Sequence, residues 1–344
     1  MYKIKQTPED FIVKEVNNVK LDDNGDYSYF SLKKRNYNTL KAIKIISEKL
    51  RINEKNIGFA GNKDKNAVTE QVISIKNSSR GIENINLKDI ELKYLGKGNE
   101  EIYLGNLAGN EFTITLRNLS KKDIQKIKNK FKKDILMPNY FGPQRFSKSN
   151  HLIGKAIIKK DFRKALDLII QNNSDYNDKI KRHLMERKND FIGALRIIPS
   201  KLLKLYVHSY QSFLFNETLG QFIKTQKAKP NKTNNNNKSK NDNKNIIQKI
   251  PIIGFGTELK SNNISVITKK IMLEEEIDFR DFIIRQIPEL SLEGAERSAF
   301  IKIKDFKIIK KEKDELNKNK EKIVVKFSLP KGCYATVLVD FLLN

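Results

Sequence analysis

A chain of 344 residues with 67 Lys and Arg against 41 Asp and Glu carries a formal charge of +26, and 38% of it is hydrophobic. That is enough apolar side chain for a sizeable core and too much for a disordered tail. A single cysteine, Cys333, excludes an internal disulfide and a cysteine-based zinc site, so the chain must fold by packing alone and suits a reducing compartment.

Residues 1–8 hold no apolar run ahead of Pro8, and no later stretch reaches the length that spans a bilayer, which predicts a cytoplasmic protein without a membrane partner. Leu40, Ile43, Ile46 and Leu50 fall on one helical face, and residues 72–75 read as a strand. Phe112, Ile114 and Leu116 alternate with Thr113, Thr115 and Arg117, the pattern of a half-buried strand. A basic run at 121–133 follows, then helices at 163–171 and 206–222 with a second basic run at 179–188 between them. Residues 231–245 hold 8 Asn and 4 Lys among 15 residues and nothing apolar, which predicts a disordered surface loop. Residues 252–255 and 323–329 read as strands, residues 310–322 as a charged hairpin tip, and residues 335–343 as a helix. Without the regular strand–helix alternation of a doubly wound sheet, this order predicts an α+β fold.

The basicity is not confined to the Asn/Lys loop. Residues 224–249 carry 8 Lys and 1 Asp, a share of +7, which leaves 26 − 7 = +19 on the rest. Such an excess favours phosphate-bearing partners, because neutralising phosphates releases counterions whatever the sequence. The two basic runs are candidate nucleic-acid contacts, although a lysine-rich helix face is more often simply solvated.

The most informative segment is Gly58-Phe59-Ala60-Gly61-Asn62-Lys63-Asp64-Lys65-Asn66-Ala67-Val68-Thr69-Glu70-Gln71. Two glycines before a lysine suggest a phosphate loop, but a P-loop has four residues between its glycines, with Lys and then Ser or Thr straight after the second. Here two residues separate the glycines and Asp64 follows Lys63, so an NTPase loop is rejected. What remains is a turn that presents one carboxylate between two lysines, suited to a nucleophile or a proton-abstracting base; most turn aspartates only bond their own backbone. A second cluster, Met137-Pro138-Asn139-Tyr140-Phe141-Gly142-Pro143-Gln144-Arg145-Phe146, offers rings to stack on bases and amides to read their edges, or else plugs a core. His151, His183 and His208 stand at no metal-ligand spacing and read as surface or packing residues.

These two segments join Lys5-Gln6-Thr7-Pro8-Glu9-Asp10-Phe11-Ile12-Val13-Lys14-Glu15, Asn38-Thr39, Ser209-Tyr210-Gln211-Ser212-Phe213-Leu214-Phe215-Asn216 and Leu329-Pro330-Lys331-Gly332-Cys333-Tyr334-Ala335-Thr336. Together, in order from Lys5 to about Leu342, they resemble the TruD family of tRNA pseudouridine 13 synthases. Gly294-Ala295-Glu296-Arg297 resembles a Gly-x-x-Arg pattern of that family's archaeal and eukaryotic branch. The resemblance implies an isomerase, an intramolecular transferase that flips uridine 13 of tRNA into a cleft, breaks its N-glycosidic bond, rotates the base and rejoins it through carbon. It implies Asp64 as the essential aspartate, Phe141 as the aromatic stacked on the target base, Asn139 as its polar neighbour, and Lys5 and Lys63 as basic positions around Asp64. No metal or organic cofactor is expected; the expected partners are tRNA and, beyond it, other structured RNAs, and the chain is expected to act as a monomer.

The fold implied is a pseudouridine synthase domain, a mixed, largely antiparallel sheet with flanking helices, built from residues 1–153 and 305–344. An α/β TRUD domain, residues 154–304, is inserted in it and contains the Asn/Lys loop at about 227–247. The alternative from another class is a non-catalytic tRNA-binding or RNA-chaperone protein on the same scaffold.

Overall fold

The computed structural model describes residues 1–76, 87–130, 135–147, 149–228 and 248–344. The chain divides into two compact units, one comprising Met1–Ile135 with Lys302–Asn344 and the other Leu136–Ile301. The loop read at 231–245 lies outside the described residues, as do Lys132 and Lys133 of the first basic run.

The first unit carries a mixed sheet. Its strands are β1 (Phe11–Val16), β2 (Tyr27–Arg35), β3 (Ile57–Phe59), β4 (Val68–Lys76), β5 (Ile90–Gly98) and β6 (Gly109–Leu119). After β7 (Ile135–Pro138), β8 (Lys249–Ile252) and β9 (Ala295–Ser298), the chain returns through β10 (Phe300–Lys313) and β11 (Glu321–Pro330). The order is β5-β2-β4-β1-β6-β11-β10, with β3 paired on β4. β1 runs parallel to β4, while β2 with β4 and β5, β6 with β1 and β11, and β10 with β11 are antiparallel. Both chain ends therefore build one sheet, with β6 from the first half against β11 from the last.

Side-chain alternation fixes what each strand buries. In β1 the inward positions are Phe11, Val13 and, unexpectedly, Glu15. In β2 Phe30 and Leu32 enter a core with Ala42, Ile43, Ile46, Ile73 and Ile75. Lys34, two residues on, faces the same way and is 1% exposed. Helix α1 (Thr39–Leu50) covers this core; Asn38 caps it by accepting the Lys41 amide at 2.7 Å, and Arg51 ends it in the left-handed region. Leu40, read as part of the buried stripe, is 56% exposed, because Ala42, Ile43 and Ile46 define the inward face.

β6 and β11 bury Phe112, Ile114 and Leu116 and Ile323, Val325 and Phe327, as their alternation predicts. Arg117, read on the solvated face, is instead buried. Its guanidinium donates to Asp10 at 2.8 Å and to Asp314 at 2.9 Å, and Asp314 also accepts the Asn118 amide at 2.8 Å. The β10–β11 tip is thus a hairpin tip as expected, but anchored by its first residue. In α2 (Lys121–Lys130), Lys126 and Lys130 donate to the Leu343 and Phe341 carbonyls at the end of a helix, Ala335–Leu343. Two lysines read as candidate RNA contacts thereby satisfy carbonyls that a helix end leaves unpaired.

The second unit is mainly helical: α3 (Asn150–Ile158), α4 (Phe162–Gln171), α5 (Asn177–Glu186), α6 (Phe191–Arg196), α7 (Ser200–Ala228) and α8 (Asn263–Glu274). The first unit's last helix, Ala335–Leu343, is α9. The divide read at 153/154 falls within α3, whose Ile153, Ala156 and Ile157 join the helical core of Phe162, Leu166, Val207, Leu214 and Phe222. β8 and β9 form a two-stranded antiparallel ribbon. The strand expected at 252–255 lies at Lys249–Ile252, because the Gly254 amide turns to the Thr257 hydroxyl at 2.9 Å and leaves the ladder.

Candidate active site

Asp64 stands on the irregular loop between β3 and β4, and its side chain is 48% exposed. Of the two glycines that frame this loop, only Gly58 is sterically required: a Cβ there would lie 2.3 Å from the Ile102 carbonyl oxygen, whereas one at Gly61 would meet open space. The loop is held by hydrogen bonds instead. The Lys63 amide donates to the Thr39 hydroxyl at 2.9 Å, that hydroxyl donates to Gln71 at 2.9 Å, and Gln71 donates back to the Gly61 carbonyl at 3.1 Å. Thr39 and Gln71 are both buried, which places the linkage out of competing water.

Lys5 meets Asp64 directly, its Nζ donating to Oδ2 at 2.6 Å. The same ammonium lies 4.1 Å from the centroid of the Phe11 ring, so an aromatic face and a carboxylate position it together. Lys5 adopts φ 60°, a left-handed conformation that is costly for a side chain of this kind. Lys63, the other basic position, turns away from Asp64 and pairs with Glu15 at 2.6 Å. That pair is nearly dry, with side-chain exposures of 8% and 0%.

Two residues of this site escaped the sequence reading. Glu15 and Lys34 are charged side chains that strand alternation turns inward, and the buried faces Phe11-x-Val13-x-Glu15 and Phe30-x-Leu32-x-Lys34 were the available signal. The Lys34 ammonium donates to the carbonyl oxygens of Tyr37 and of Asp64, the latter at 3.3 Å. Burial pushes its pKa down to about 8, with Asp64 opposing the shift and Lys63 adding to it.

Asn139 and Phe141 lie in the second unit, on the loop that leaves β7. Polar residues of α7 hold this loop. Asn216 accepts the Phe141 amide at 2.9 Å and donates to its carbonyl at 3.0 Å, Ser209 donates to the Arg145 carbonyl at 2.8 Å, and Ser212 accepts from Arg145 at 3.2 Å. Asn139 is 4% exposed, and each of its polar groups is engaged. Its amide donates to Ala299 at 2.8 Å and its side-chain nitrogen to Ser298 at 3.0 Å, while its two oxygens accept from Arg297 at 3.1 and 2.6 Å. So held, the Arg297 guanidinium lies 4.3 Å from the centroid of the half-buried Phe141 ring, which Phe215 meets edge-on at 5.3 Å. The aromatic loop therefore packs on the helical core and also pairs the half-buried Phe141 ring with guanidinium groups, Arg297 at 4.3 Å and Arg145 at 5.9 Å.

The sequence profile of the tRNA pseudouridine synthase D (TruD) family matches residues 2–183 and 170–340. The chain belongs to the TruD family. It is 32% identical to a Methanosarcina barkeri protein named "Probable tRNA pseudouridine synthase D", over 98% of this chain and 92% of that one. Identity is 28% to the "tRNA pseudouridine synthase D" of Aquifex aeolicus, over 98% of this chain and 97% of that one. A crystal structure of the "Putative tRNA pseudouridine synthase D (TruD)" from Methanosarcina mazei, 28% identical, matches with a TM-score of 0.75 over 99% of this chain and 93% of that one. The mixed sheet and helices are accordingly the TruD fold. Among the described residues, no helix of this TruD family member is long and apolar enough to cross a membrane.

Proposed function

We propose that this TruD family member is a tRNA pseudouridine synthase that converts uridine 13 to pseudouridine, with Asp64 as its catalytic carboxylate. The observation that carries the reading is a half-exposed carboxylate, paired with Lys5 at 2.6 Å, on a loop whose own polar groups are tied inward. Such a group is open to RNA and already placed, which is what a reacting carboxylate requires.

The reaction needs no co-reactant. The C1′–N1 bond breaks, the base rotates, a C1′–C5 bond forms, the C5 proton leaves and N1 gains a proton, so product and substrate have the same composition. Asp64 can serve it by attacking C1′, by attacking the base, or by removing a sugar proton. Flipping the base out of folded RNA costs a few kcal/mol, and stacking on Phe141 at roughly 1–3 kcal/mol offsets much of that. Asn139 serves this capture through Arg297, which it holds over the ring. Phosphate contacts from the basic surface hold the rest of the RNA.

The experiment is Asp64→Asn, which keeps the shape and removes the charge. Pseudouridine formation in a tRNA transcript should fall by about three orders of magnitude or more, roughly 4 kcal/mol of barrier, while tRNA affinity stays within about threefold. Substantial turnover by Asp64→Asn would overturn the assignment of the catalyst. Salt-sensitive tRNA binding by the wild type, with no pseudouridine formed, would instead favour a non-catalytic RNA-binding protein.

A further inference from the structure

We infer that Lys34 is a positioning residue for Asp64: its buried ammonium fixes the main chain of the catalytic loop and keeps a positive charge near the reacting carboxylate. The inference rests on the reading of Asp64 as catalyst and adds a residue that touches neither substrate nor reacting atoms.

Lys34 sits in β2 between β4 and β5, opposite Thr69 on one side and Ile90 on the other. Its inward direction is imposed by the strand, and a position that follows Phe30 and Leu32 on an apolar face would ordinarily hold another hydrophobe. A buried ammonium is costly to place there unless its donors are used. They are used on two main-chain carbonyls, that of Tyr37, just ahead of the Asn38 cap of α1, and that of Asp64. The neighbouring Lys63 amide is tied to Thr39 of the same helix start. Residues 63 and 64 are therefore both anchored to the segment 34–39, one through a hydroxyl and one through a charge. Since an aspartate carboxylate is two bonds from its Cα, fixing the Asp64 main chain confines the carboxylate to the few positions its rotamers allow.

The charge on Lys34 is responsive. Burial brings its pKa down to about 8, within the range where the enzyme can be assayed, while Asp64 pulls it up and Lys63 pushes it down. The other charged groups nearby are Lys33 and Arg35 on β2 itself, Glu70 on β4, and Asp89 and Glu91 where β5 begins. Above pH 8 the amine keeps protons to donate but loses the charge that strengthens both hydrogen bonds.

The test is the single-turnover rate of pseudouridine formation between pH 6.5 and 9.5 for the wild type, Lys34→Met, Lys34→Arg and Asp64→Asn, with tRNA affinity and thermal unfolding measured alongside. Lys34→Met should lose about ten- to a hundredfold in rate at neutral pH, the weight of a charge-assisted hydrogen bond, while binding tRNA within about threefold of wild type. The wild-type rate should fall as pH rises through about 8. Lys34→Arg, which cannot lose its charge in this range, should restore part of the rate and remain level there. A folded Lys34→Met with wild-type rate and an unchanged alkaline fall overturns the inference. Should that variant not fold, coincident profiles for wild type and Lys34→Arg overturn it, as does a wild-type rate that stays level from pH 7 to 9. An active Asp64→Asn removes the underlying reading, whereas an inactive Asp64→Asn beside an unaffected Lys34→Met removes only the role of Lys34.

Discussion

Phe141 has its main chain gripped at both ends by Asn216 and its ring flanked by Arg297 and Phe215. A ring held this way loses little freedom when a base stacks on it, so its contribution should lie in capturing the flipped state. For Phe141→Ala we expect single-turnover rates to fall by about ten- to a hundredfold, with overall tRNA affinity changed far less; stacking at roughly 1–3 kcal/mol per base sets that scale. An unaltered rate would make Phe141 a packing residue. Asn139 differs in kind. Nearly every surface of it is covered, so the side-chain amide predicted to contact substrate is committed to Arg297 and Ser298, and the main-chain amide to Ala299. That commitment was invisible in the sequence, because its partners stand about 160 residues further on, at the far end of the second unit.

At the scale of elements, Arg117 ties three pieces of the first unit into one: the turn before β1 through Asp10, its own strand β6, and the β10–β11 tip through Asp314. Burial alone would raise the Asp314 carboxyl, but the amides of Asn118 and Leu316, the Asn317 side chain and Arg117 hold it below the ordinary carboxylate range. A folded-state pKa below the unfolded one means stability that is present at neutral pH and lost as pH falls through the folded value. Arg117→Met leaves two carboxylates buried without their cation and should cost about 3–5 kcal/mol in urea unfolding at pH 7. A cost below 1 kcal/mol would mean that the tip is not anchored by this group. The elements that were legible are those whose pattern is local: β6, β11, α4 and α9 follow from alternation or helical spacing. What escaped is the inward charge. Glu15, Lys34 and Arg117 each look solvated in sequence, and only the register of their strands turns them inside, where a partner distant in the chain receives them. Lys126 and Lys130 show the converse, since lysines read as RNA contacts are occupied at the end of α9.

For the whole molecule, the first unit's sheet is completed only by the chain's last residues. Removing residues 321–344 takes away β11, which stands between β6 and β10, together with α9. That truncation should abolish the first unit's cooperative transition in thermal unfolding while the helical signal of the second unit, with its own core, persists. A truncated chain that keeps both transitions would refute this. The same arrangement bears on how the protein is made. Residues Leu136–Ile301 are contiguous and leave the ribosome as one piece, but β6 must wait for its partner, because Leu119 pairs with Glu321, about 200 residues later. At about 5–20 residues per second, that is roughly 10–40 s during which the main-chain edge of β6, a strand carrying Phe112, Ile114 and Leu116, lacks its β11 partner in the nascent chain. The insertion thus gives the emerging polypeptide an interval of exposure to mispairing that an uninterrupted sheet would not have, and slowed or stalled translation within residues 120–320 prolongs it.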